Sequence, residues 1–259
     1  MDICGWWTSM EYGLIGEKLG HSYSKIIQEK LIDNYTYTLH PLAKDELDLF
    51  MKEKNFKAIN VTIPYKQSVI PYLDTLDVSA SKIGAVNTIV NTNGVLKGYN
   101  TDYYGFAYMI EHHHIDLKDK KVLVLGCGGA SKAIQAVVMD KEAKAMIITA
   151  KHPRENFIAI EEVYEKHRDV DIIINTTPVG MYPNVEATCV DLNKFENISY
   201  CIDIIYNPLN TEFALQAQSL NIPVITGLEM LVAQAKYALE YFKDIKIDDS
   251  EIDRIYKEL

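Results

Sequence analysis

Lys66 and Asp102 are the residues of this chain best suited to chemistry. Lys66 closes the run Asn60-Val61-Thr62-Ile63-Pro64-Tyr65-Lys66, and Asp102 closes Gly98-Tyr99-Asn100-Thr101-Asp102. A packed core does not need polar side chains at this density. An ammonium group can stabilise developing negative charge or donate a proton, and a carboxylate can hold it in position. Further along, the apolar stretch Val122-Leu123-Val124-Leu125 runs straight into Gly126-Cys127-Gly128-Gly129-Ala130. A lysine, a carboxylate and a nucleotide-type glycine turn, in that order, point to a small-molecule oxidoreductase. The bland alternatives are a surface lysine after a proline turn and an aspartate that caps a helix.

The glycine turn follows a strand and opens a helix, which is the context a dinucleotide site requires. There Gly126, Gly128, Gly129 and Ala130 would let backbone N–H groups approach a pyrophosphate at the helix N-terminus. Ser131 stands where a third glycine is usual. At the end of the next strand, an NAD site wants a carboxylate for the ribose 2′-hydroxyl. The chain instead reads Thr149-Ala150-Lys151-His152-Pro153-Arg154. Cations at Lys151 and Arg154 suit a 2′-phosphate, hence NADP, with NAD use and a solvated loop of ordinary surface charge as the alternatives. Asn60, Thr62, Asn87, Thr101, Ser22 and Ser24 all fall at expected strand ends or loops, where α/β folds build ligand sites. So many hydrogen-bonding side chains suit a polyhydroxylated substrate.

The elements that must position these residues alternate. Strands are expected at Tyr12–Gly16, Tyr35–Leu39, Ala58–Val61, Ala85–Val90 and Val95–Tyr99, the last two flanking a turn at Asn93-Gly94. Helices are expected at Ser24–Asn34, Lys44–Lys54 and Ser79–Ile83. Beyond Asp102 the rhythm becomes βαβ. Strands fit Val122–Leu125, Ala145–Thr149, Ile172–Asn175, Tyr200–Ile204 and Pro223–Thr226; helices fit Ser131–Asp140, Phe157–Lys166 and Thr211–Ser219. That alternation predicts a parallel sheet covered by helices. Two further helices are expected at Glu229–Phe242 and Asp249–Leu259, and His112–Asp116 is a linker candidate between the halves.

Composition excludes several classes. The formal net charge of −10 comes with no evident basic patch, which argues against a nucleic-acid partner. The four cysteines, Cys4, Cys127, Cys189 and Cys201, form no C-x-x-C pair, which argues against a zinc site and a redox dithiol. Reduced thiols suit a cytoplasmic enzyme. No apolar run approaches a membrane span, and the N-terminus, with Asp2 and Glu11, does not read as a signal peptide. The triple histidine His112 to His114 invites a metal reading. Consecutive helical residues point in different directions, so a solvated helix end is expected and no metal.

Taken together, the motifs resemble those of the shikimate dehydrogenase family over nearly the whole chain, from Tyr12 to Ala235. They are Gly20-His21-Ser22-Tyr23-Ser24, Asn60 to Lys66, Ile83 to Thr88, Gly98 to Asp102, Gly126 to Ala133, Asn175 to Met181, Asp203 to Pro208 and Gly227 to Leu231. The resemblance implies an α/β fold of two domains. One is a substrate-binding catalytic domain formed by 1–102 and 229–259, with C-terminal helices returning to it. The other is a Rossmann-type NADP domain at 103–228. It implies reversible NADPH-dependent reduction of 3-dehydroshikimate to shikimate, in aromatic amino acid biosynthesis. Lys66 and Asp102 would be the catalytic pair. Ser22, Ser24, Asn60, Thr62, Asn87, Tyr206 and Gln234 would bind substrate. Thr176 and Gly227 would join the cofactor residues. Hydride delivery to the ketone builds negative charge on its oxygen, which Lys66 would stabilise and protonate, while Asp102 holds the lysine and bonds a substrate hydroxyl. The family usually has proline where this chain has Lys25, and Asn-Arg-Thr where it has Ala150-Lys151-His152. The alternatives are a quinate/shikimate dehydrogenase using NAD, a catalytically silent shikimate or nucleotide sensor and, more remotely, a folate-type dehydrogenase. Monomer and homodimer both remain open.

Overall fold

The computed structural model describes residues 10–20, 23–154 and 156–259. Ser22, Cys4 and most of the N-terminal segment 1–11 therefore lie outside the described residues. The chain divides into two compact units, Met1–Gly105 with Val232–Leu259, and Phe106–Leu231.

The first unit is built on a six-stranded sheet. Its elements are β1 (Met10–Gly16), α1 (Tyr23–Leu31), β2 (Thr38–Pro41), α2 (Leu47–Glu53), β3 (Phe56–Val61), β4 (Thr75–Leu76), α3 (Val78–Ile83), β5 (Thr88–Thr92) and β6 (Val95–Tyr99). The strand order is β2-β1-β3-β5-β6-β4. Strands β2, β1 and β3 run parallel, and β5 is antiparallel to both β3 and β6. β1 and β3 are buried along nearly their whole length, which is why they read as apolar runs without alternation. Their core gathers Ile15, Met51, Ile59, Val69, Ile89 and Leu96. The hairpin β5–β6 turns through Asn93 and Gly94, both at positive φ, as an Asn-Gly turn demands. Helix α4 (Thr101–His112) follows.

The second unit holds β7 (Lys121–Leu125), α5 (Gly129–Asp140), β8 (Ala145–Thr149), α6 (Ile160–Lys166), β9 (Ile172–Asn175), β10 (Tyr200–Asp203), α7 (Glu212–Ser219) and β11 (Val224–Thr226). The five strands are all parallel, in the order β11-β10-β9-β7-β8. Leu123, Leu125, Ile173, Val190, Cys201 and Phe213 share its core. The chain closes with α8 (Leu228–Lys243) and α9 (Ser250–Glu258). In the first unit, Gln28 of α1 bonds the Ala235 carbonyl of α8 at 3.0 Å.

Four expectations are corrected. β2 starts at Thr38, because the Glu29 carboxylate takes the Tyr37 backbone N–H at 3.0 Å. α2 starts at Leu47, because the Glu46 carboxylate accepts the Ala43 N–H at 2.8 Å and fixes a turn there. α6 starts at Ile160, because Phe157 pairs back to Arg154 and Ile158 to Thr149. His112–Asp116 is not a boundary: the units divide at Gly105 and Phe106, inside α4.

Candidate functional site

The end of β3, the start of β5 and the first turn of α4 bring the first unit's polar residues together. The Lys66 ammonium donates to Asp102 Oδ2 at 2.5 Å, with side chains 15% and 10% exposed. Asp102 sits in the first turn of α4 and does not serve as its cap. Its other oxygen accepts from Asn87 Nδ2 at 2.9 Å. Asn87 Oδ1 in turn accepts the backbone N–H of Thr101 at 2.7 Å. Asn60 donates to the Asn87 carbonyl at 3.1 Å and to Thr88 Oγ1 at 3.0 Å. Tyr37 donates to Asn60 Oδ1 at 2.7 Å, and full burial pushes its hydroxyl pKa well above the ordinary value. Gln234 of α8 lies 3.4 Å from the Thr101 hydroxyl.

So Lys66, Asp102, Asn60, Asn87 and Gln234 share one hydrogen-bonded network. Two further predicted residues are placed separately. Thr62 follows β3 and is tied by its backbone N–H to the Ile15 carbonyl at 2.9 Å. Ser24 lies in the first turn of α1. Tyr37 and Thr88 belong to the network and were missed. Tyr37 read only as a strand former, and Thr88 only as the end of a motif.

The second unit carries the glycine turn. Gly126 leaves β7 with φ +101°, and a Cβ there would come within 2.9 Å of Thr177 and 3.0 Å of Thr176. Thr176 bonds the Leu125 carbonyl through its hydroxyl at 2.7 Å. Gly128 behaves differently. Its φ of −75° suits any residue, and an added Cβ would meet nothing within 4 Å. The fold makes no demand for glycine there. α5 begins at Gly129 with no side-chain cap, so the N–H groups of its first turn point outward. Ser131, in place of a third glycine, is buried and donates to the Gly126 carbonyl at 2.7 Å. Lys151 and Arg154 are exposed on the turn after β8, where Arg154 lies over the Phe157 ring at 5.0 Å.

Tyr206 sits in the loop after β10, and Asp203 shapes that loop. Asp203 accepts from Ile205 N at 3.1 Å, Asn175 Nδ2 at 3.1 Å and Thr211 Oγ1 at 2.5 Å. Burial pushes its carboxyl up to about 6, although these three hydrogen bonds favour the charged form. Gly227 is required by close approach: a Cβ would fall 2.0 Å from the Ile204 carbonyl oxygen.

One unit with a largely buried lysine–carboxylate pair and another with a parallel sheet and a glycine turn define a two-unit α/β protein of Rossmann type. Residues 14–89 match the family model for the shikimate dehydrogenase substrate binding domain. A shikimate dehydrogenase (NADP(+)) of Clostridium beijerinckii is 40% identical, across 95% of this chain and 96% of its own length. The crystal structure of shikimate dehydrogenase 1 from Peptoclostridium difficile has a TM-score of 0.88 at 38% identity, covering 96% of this chain and 97% of that one. The Thermus thermophilus shikimate 5-dehydrogenase, solved with NADP(H) and shikimate, has a TM-score of 0.86 at 26% identity, covering 96% and 99%. The chain belongs to the shikimate dehydrogenase family.

Proposed function

We propose that this protein is an NADP-dependent shikimate dehydrogenase, which reversibly reduces 3-dehydroshikimate to shikimate. The observation that carries the reading is the Lys66–Asp102 pair, 2.5 Å apart and braced by Asn87, in a chain 40% identical to a relative of that name. Lys66 donates the proton to the carbonyl oxygen as hydride arrives from the cofactor, and stabilises the charge that develops there. Asp102 keeps the ammonium aimed and accepts a hydrogen bond from a ring hydroxyl. Ser22, Ser24, Asn60, Thr62, Asn87, Tyr206 and Gln234 bind the substrate. NADPH supplies the hydride. Gly126, Gly128, Gly129 and Ala130 would hold its pyrophosphate, Thr176 and Gly227 would join them, and Lys151 and Arg154 would meet its 2′-phosphate. Gly128 supports this, because the open space at its Cα is available for a ligand. Among the described residues no helix is long and apolar enough to cross a membrane. Cys127, Cys189 and Cys201 are free thiols, the state that the cytoplasm maintains.

Steady-state rates with shikimate and quinate, each against NADP and NAD, test the reading. Shikimate with NADP should be the preferred pair. Preference for quinate with NAD would establish the alternative dehydrogenase, and no turnover with any pair would leave only a binding protein.

A further inference from the structure

The triple histidine is exposed at the end of α4, as expected, but two of its rings also meet a buried carboxylate. Helix α4 finishes at His112, and the His113 N–H still bonds the Met109 carbonyl at 3.2 Å, so His113 closes the last turn. His114 then takes a left-handed φ of 51° and ends the turn. At this helix end the first two rings converge on one carboxylate. His112 Nδ1 lies 2.5 Å from Glu229 Oε1, and His113 Nε2 lies 2.8 Å from Glu229 Oε2. Glu229 is the second residue of α8 and is only 6% exposed. All three residues belong to the second unit, and their ligand atoms lie within 4.8 Å of one another.

We propose that His112, His113 and Glu229 bind a divalent transition-metal ion of the zinc type. Two imidazoles and a carboxylate form a donor set of borderline softness, which suits zinc over magnesium or calcium. Zinc–ligand bonds of about 2.0–2.2 Å need donor atoms somewhat further apart than they stand. The two histidine side chains are 43% and 38% exposed, so a small outward rotation of their rings meets solvent. Glu229 is the fixed partner, held by burial. The three protein ligands leave a position for water, facing the solvent that the histidines already meet. The ion would tie the end of α4 to the start of α8, more than a hundred residues away in the chain. This site is independent of the dehydrogenase reading, whose chemistry calls for no metal.

The test is calorimetric titration of the full-length protein with zinc chloride, and separately with magnesium chloride. One equivalent of zinc should bind, and magnesium should not. His113→Ala, at a partly exposed position, should keep the fold and weaken zinc binding by at least ~100-fold, since losing even an outer partner costs roughly 10–100-fold. Glu229→Gln should do the same. Cobalt bound in place of zinc should show visible bands without a thiolate charge-transfer band. Absence of one-to-one zinc binding would overturn the proposal. So would unchanged affinity in His113→Ala, equal binding of magnesium, or a thiolate band that assigns the ion to cysteine.

Discussion

Each unit contains a buried aspartate, an asparagine and a threonine in one hydrogen-bonded cluster, and the two clusters serve different ends. In the first, Asp102 faces the Lys66 ammonium and Asn87, and Lys66 keeps some exposure. In the second, Asp203 faces only neutral donors, Asn175, Thr211 and the Ile205 amide, with no exposed surface. The cation decides the outcome. A paired carboxylate at the edge of solvent can steer a proton donor. A buried carboxylate among neutral donors can only shape its loop, and burial drives it toward protonation.

The largest expected effect breaks the first cluster. Lys66→Ala should lower turnover by roughly 10²–10⁴-fold, the range for a positioned proton donor, while shikimate Kd changes only a few-fold. Asp102→Asn should lower turnover nearly as much. Its amide would turn an N–H toward either Lys66 or Asn87, both of which are donors. Near-normal turnover in either variant, measured by steady-state kinetics, would remove the pair from catalysis.

The second effect tests Asp203. Burial pushes its folded carboxyl up to about 6, from an ordinary value of 3.8. Between these pH values the folded state holds a proton that the unfolded state has released, so stability falls as pH rises through the window. The difference of about two pKa units corresponds to roughly 3 kcal/mol, lost by pH 7. Asp203→Asn should remove this slope. Denaturant unfolding of both proteins at pH 4 and pH 7 checks it, because other titrating groups cancel in the difference. Parallel pH profiles would show that Asp203 stays charged throughout.

A smaller effect separates scaffold from ligand contact inside the glycine turn. Gly128→Val should leave stability unchanged and raise the cofactor KM by about tenfold or more, since the side chain enters space that a pyrophosphate needs. Gly126→Ala should instead destabilise the fold by about 1–3 kcal/mol, through its positive φ and the crowding of Thr176 and Thr177. Unaltered cofactor affinity in Gly128→Val would reduce the turn to a structural one.

Much of this was legible in the sequence, for stated reasons. The second unit's strands are continuous apolar runs punctuated by glycine, and β8 and β9 fall at the residues expected. The Lys66 and Asp102 motifs announced themselves by polar density. Long-range geometry was not legible. Tyr37 joins the site only because β2 and β3 flank β1, a pairing that no local pattern encodes. β4, with two residues, is too short to carry a period. Consecutive histidines at a helix end give no local sign of a shared partner. Glu229, the carboxylate that gathers both rings, is 116 residues from His113.

The smallest effect returns to the contrast between lysines. Lys66 is largely buried beside a carboxylate, whereas Lys151 is exposed on the turn after β8. An exposed charge is screened by water and salt, so its contact with a 2′-phosphate is worth less than a buried one. Lacking arginine's planar fork, lysine also meets the phosphate as a point charge. Lys151→Ala should therefore weaken NADP by about tenfold, leave NAD almost untouched, and leave turnover at saturating cofactor unchanged. The wild-type advantage of NADP over NAD should shrink between low and high salt, while the loss in Lys66→Ala should not depend on salt. Lys151→Arg should restore or exceed the NADP affinity. If wild type binds NAD as tightly as NADP at every salt concentration, Lys151 is solvated charge, and the 2′-phosphate is recognised by other residues or by none.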